Sequence, residues 1–128
     1  MKLRIQKIAD EGNLEKERIV IKVVAKTDIG VYTVFQVDTE QGKITSDVQD
    51  AFWFPDQPVS VNDTVVLYTK QGVNKSRPSE TGGKLHFFYW GKKQSKWNSN
   101  WAPVLLFISD WEVYNASEAN ATFSIGIK

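Results

Sequence analysis

The side chains with chemistry in them are few. The chain contains no Cys, which removes disulfides, thiolate catalysis, iron–sulfur clusters and Cys-based zinc sites together, and its one His, His86, cannot make a multi-His metal centre. No serine stands in a Gly-x-Ser-x-Gly elbow, and there is no Gly-rich phosphate loop. Asp110 and Glu112 share a parity that could pair two carboxylates, but the same spacing puts both in solvent. His86, between Leu85 and Phe87, reads as a satisfied sheet histidine rather than a base. The expectation is a protein that binds without catalysing, with no cofactor and no metal.

The basic side chains carry the stronger signal. Residues 64–109 hold Lys70, Lys75, Arg77, Lys84, Lys92, Lys93 and Lys96 against Glu80 alone, a net +6 in a chain of net +1, while residues 37–63 are net −5. Tyr89, Trp90, Trp97 and Trp101 are interleaved with them. Cations that follow phosphates and rings that stack on bases, at ~1–3 kcal/mol each, are how single-stranded nucleic acid is held. Lys92, Lys93 and Lys96 fall within one short loop. Trp97 and Trp101 flank the polar run Asn98, Ser99 and Asn100, and a large ring at a turn either pins the turn to the core or faces a ligand. The candidate binding residues are therefore Lys70, Lys75, Arg77, Lys92, Lys93, Lys96, Trp97 and Trp101, with Trp101 the foremost exposed contact. Trp101 with Asn98 and Asn100 would also suit a sugar, an option disfavoured because the chain begins without an export signal.

These side chains must be positioned by strands. At 128 residues, 41% hydrophobic and 24% charged, the chain has the size and composition of one domain, residues 1–128, with one core. Its first residues, with Lys2, Arg4, Lys7, Asp10 and Glu11, give no signal-peptide stretch. Val104 to Ile108, the most apolar run, is far short of the ~18 residues of a spanning helix and reads as a buried strand. No membrane and a cytoplasmic location are expected. Apolar residues recur with period two: Ile19, Ile21 and Val23 alternate with Arg18 and Lys22, and Phe123, Ile125 and Ile127 with Thr122, Ser124 and Gly126. Further strands are expected at 31–38, 43–46, 52–54, 64–70, 84–90 and 103–109, the last entered through Pro103. Residues 71–83 read as one long loop, and helical turns are expected only near 47–51 and 117–119. About eight or nine short strands with polar turns predict an antiparallel sandwich or barrel.

Between residues 51 and 111 the pattern resembles lamin tail domains. The residues that carry the resemblance are Phe52-Trp53-Phe54-Pro55, the Asn62-Asp63 turn before Thr64–Thr69, the strand His86-Phe87-Phe88-Tyr89-Trp90-Gly91, the pair Trp97-Asn98, and Val104 to Ile108. Asn62-Asp63 stands where the family often has Gly-Asp, and Asn100-Trp101-Ala102-Pro103 replaces a Gly-Asp turn. The resemblance implies an all-β, immunoglobulin-like antiparallel β-sandwich and a non-catalytic module for contact with proteins or DNA, with Trp97 as a pinning residue. Two functions are thus expected: a scaffold that grips a protein partner, a second copy included, through loops or a sheet edge, or a nucleic-acid-binding module using the basic, aromatic-rich loops between residues 70 and 101.

Overall fold

The computed structural model describes residues 1–115 and consists almost wholly of strands. In chain order these are β1 Leu3–Ala9, β2 Arg18–Val23, β3 Thr27–Asp28, β4 Tyr32–Glu40, β5 Lys43–Trp53, β6 Pro58–Val59, β7 Thr64–Tyr68, β8 Lys75–Pro78, β9 Lys84–Tyr89 and β10 Trp101–Phe107, with a single 3-10 turn at Ile29–Val31. Five strands form one sheet in the order β1-β2-β7-β9-β8, and three form another in the order β10-β4-β5. The two-residue pair β3-β6 braces their connections. The expected final strand at Phe123–Ile127 and turn at 117–119 lie outside the described residues.

The alternation that predicts the strands also builds the core. Leu3, Ile19, Ile21, Val23, Val65, Leu67 and Phe88 from the large sheet meet Tyr32 and Val34 from the small one, and Ile29, Phe54, Val59 and Trp97 close the layer between them. Each such side chain withdrawn from water contributes ~1.5–3 kcal/mol. The result is a β-sandwich, as expected. Its pairings are antiparallel with one exception: β7 and β9 run parallel, because β8 is interposed between them in sequence and returns to the far side of β9.

Several local expectations are corrected. Residues 71–83 are not one loop, since Lys75–Pro78 pair with Lys84–Phe87 as edge strand β8. Residues 43–46 and 52–54 are not separate strands, and 47–51 do not turn helically, because β5 runs unbroken along β4 through two register shifts that absorb its irregular pattern. The β4–β5 hairpin closes on Gln41 and Gly42, both at positive φ, the backbone a two-residue turn of this hand requires. β10 begins at Trp101, leaving Pro103 inside an edge strand, where a missing N–H is tolerated. Only half-buried, β10 is not the buried strand that its apolar run suggests.

Candidate functional site

Strand register decides which side chains leave the core face of the large sheet. Because Ile19, Ile21 and Val23 point inward, Arg18, Val20 and Lys22 point outward, and pairing carries that parity across the sheet. One row of outward residues is Arg4, Lys22, Thr64, Leu85 and Arg77; the next is Lys7, Val20, Val66, Phe87 and Lys75; the third is Ala9, Arg18, Tyr68 and Tyr89. Every charged residue in these rows is basic: Arg4, Lys7, Arg18, Lys22, Lys75 and Arg77. Three aromatic rings stand among them. Tyr68 and Tyr89 are stacked at 5.3 Å with planes 8° apart, and Phe87 lies 6.4 Å from Tyr68. Arg18 and Lys70 lie over Tyr68 at 5.9 and 5.0 Å, and Lys75 and Arg77 over Phe87 at 5.8 and 5.4 Å. Among the described residues, acidic groups pair with the cations of this face at its rim, where Asp10 meets Arg18 and Glu15 approaches Lys70.

The end of the sandwich beyond Tyr68 and Tyr89 is built on a buried carboxylate. Glu17, with no exposed surface, accepts hydrogen bonds from the Gly12 N–H, the Thr69 hydroxyl and the Lys96 N–H, so one side chain ties three segments together. Lys96 is itself buried. Its Nζ donates to Asp50 Oδ2 at 2.7 Å and to Gln36 Oε1 at 3.0 Å and sits 4.5 Å over the Trp90 ring. Lys92 Nζ shares the same Asp50 oxygen at 3.0 Å. Burial would raise the Asp50 pKa, but hydrogen bonds from Lys96, Lys92 and the Ala51 N–H outweigh it and hold the carboxyl below its ordinary range. Around this cluster lies an open trough of about 400 Å³ lined by Gln36, Gln49, Asp50, Lys92, Lys93 and Trp101, among others. An adjoining hollow of about 260 Å³ is lined by Lys70, Gln71, Lys92 and Lys93 with Leu14 and Glu15.

At the opposite end, His86 is buried between two partners. Its Nε2 meets Asp63 Oδ2 at 2.9 Å and its Nδ1 meets Ser76 Oγ at 2.7 Å. Asp63 also accepts from the Ser60 and Lys84 N–H groups, and these bonds with the His86 ring overcome burial and keep its pKa below the usual carboxylate range. Hydroxyl, imidazole and carboxylate stand in the order of a nucleophile, base and orienting acid. The adjoining hollow is lined by Asp63 and His86, however, and not by Ser76. The line is a tie that fixes the edge strand β8 and the 60–63 turn to β9.

The sequence-derived residues divide accordingly. Lys75 and Arg77, expected in a loop, lie on edge strand β8 and join Lys70 on the outer face. Lys92 and Lys93 converge with Lys70 on one hollow, and Lys93 is exposed. Lys96 is corrected: it is buried and committed to Asp50 and Gln36, because the acidic segment folds against it. Trp97, 1% exposed, is a core residue and not a contact. Trp101, taken as the exposed ring, is half-buried against the core and walls the trough. Asn98 and Asn100 are exposed, and the Asn98 side chain is engaged locally, accepting from the Asn100 N–H. Arg4, Lys7, Arg18, Lys22, Tyr68 and Phe87 were missed, although Arg18 and Lys22 already stood on the polar parity; the basic rows emerge only when pairing aligns distant strands. Among the described residues no group of three or more His, Asp or Glu is gathered as a metal site requires, and no helix is long and apolar enough to cross a membrane. Comparison of the chain with protein-family models, curated proteins and solved structures finds no match.

Proposed function

We propose that this chain is a nucleic-acid-binding module whose contact surface is the outer face of the five-stranded sheet. The observation that carries the reading is the sign of that face: six basic residues at outward strand positions, no acidic one, and Tyr68, Phe87 and Tyr89 set among them. A sheet bearing aromatic rings between cations is how other β-sheet modules stack bases while neutralising phosphates. The near-neutral total charge is no objection, since affinity follows the local field and Asp38, Glu40, Asp47 and Asp50 all lie on the small sheet. The resemblance to lamin tail domains, which implies contact with proteins or DNA, sits with the same proposal.

Fluorescence anisotropy with labelled single- and double-stranded oligonucleotides at about 50 and 200 mM salt tests it. Binding should weaken steeply with salt. Lys75→Ala with Arg77→Ala removes two exposed cations from an edge strand, so the fold should persist while the slope of log affinity against log salt becomes shallower by about 1.4 for a single strand. Absence of binding to every oligonucleotide at the lower salt would overturn the proposal. It would leave the other expectation, a protein partner or second copy held through loops or a sheet edge, as the reading to pursue.

A further inference from the structure

We infer, resting on that reading, that the ligand is a single strand that does not end on the sheet face but turns the rim at Lys70 and continues past Lys92 and Lys93 into the trough walled by Trp101. The basic surface does not stop at the edge of the sheet. Lys70 belongs to both regions: its Nζ lies over the Tyr68 ring on the outer face, and its side chain lines the hollow shared with Lys92 and Lys93. The same two lysines line the trough beyond. Face, hollow and trough therefore form one path with a cation at each junction.

The floor of that path is rigid and already neutralised. Asp50 is held between Lys92 and Lys96, and Lys96 is fixed further by Gln36 and the Trp90 ring, so the carboxylate presents a paired charge to an arriving phosphate. Glu15, the other acid on the path, is exposed and lies 4.0 Å from Lys70. Exposed Lys93 is the cation most available to a phosphate, and half-buried Trp101 offers a ring at the far end. The turn selects the ligand. Duplex DNA is stiff over about 50 nm and cannot bend around the end of a single small sandwich, whereas a single strand can.

The experiment compares a labelled thymidylate of about three nucleotides, enough to occupy the face, with one of about twelve, free and in duplex form. Wild type, Lys93→Ala, and Lys92→Ala with Lys93→Ala are each measured, with melting temperature as the check on folding. The wild type should bind the long single strand more tightly than the short one and more tightly than the duplex. The double variant should lose about tenfold on the long strand, with a salt slope shallower by about 1.4, and nothing on the short one. Lys93→Ala, which breaks no ion pair with Asp50, should show about half of that slope change. Equal losses on long and short strands, no loss on either, or duplex binding as tight as single-strand binding would overturn the path while leaving the sheet face as the contact surface. Failure of the wild type to bind either length would instead remove the reading beneath it.

Discussion

Glu17 is the residue whose loss should cost most. A carboxyl group with no exposed surface is tolerable because three donors converge on it, and its removal leaves the Gly12 N–H and, in a buried site, the Thr69 hydroxyl and the Lys96 N–H without that acceptor. Glu17→Ala is expected to destabilise by about 3–5 kcal/mol, and Glu17→Gln by less, because the amide oxygen can still accept. Chemical denaturation of both variants checks this; equal losses would mean that both carboxylate oxygens, and not the shape or a single acceptor that Gln retains, are what Glu17 supplies. Nothing local in the sequence marks this residue. Its neighbours Glu15 and Arg18 are ordinary turn and strand charges, and two of its three partners lie 52 and 79 residues away. The same distance hid the fate of Lys96, which is indistinguishable from Lys92 and Lys93 until Gln36 and Asp50 arrive from the other sheet.

Elements were more legible than sites, because period-two alternation reports a half-buried strand directly. Ile19-Ile21-Val23 and Val65-Leu67 are recognised for that reason, and their outward partners follow by parity. Where alternation is broken the reading fails: β5 carries two register shifts, and β8, Lys75-Ser76-Arg77-Pro78, has no apolar residue because it is an exposed edge. The parallel pairing of β7 with β9 is a consequence of that unseen strand. β8 is also approached through Gly72, whose backbone lies against the Tyr89 ring so closely that a Cβ there would come within 2.3 Å of a ring carbon. Gly72→Ala should push Tyr89 out of its parallel stack with Tyr68, at a cost of about 1–3 kcal/mol from overpacking. Near-ultraviolet circular dichroism would register the altered ring pair, and oligonucleotide affinity should fall with it. An unchanged aromatic spectrum would show that the 71–74 segment moves aside freely and does not set the ring geometry.

For the molecule as a whole, the two ends of the sandwich are closed by the two carboxylates whose pKa values are lowered. Asp50 joins β5 to the loop after β9, and Asp63 joins the 60–63 turn to β9, so each ties together parts of the chain brought close only by folding. A carboxyl more acidic in the folded state than in the unfolded chain, where Asp titrates near about 3.9, contributes stability that is fully present above that value and lost as the pH falls through the lower, folded one. The part of the stability these two groups supply should therefore be constant above about pH 5 and disappear in the acid range below about pH 4. Asp50→Asn and Asp63→Asn should each lower the melting temperature at neutral pH and flatten its fall below about pH 4, and the effects should add, since the two sites share no partner. A variant that melts lower by the same amount at every pH would assign its residue an uncharged hydrogen-bonding role in place of a charged tie. The outer face provides the contrast: exposed Lys75 and Arg77 contribute little to stability, so their removal should leave the acid limb unchanged while altering the salt dependence of binding.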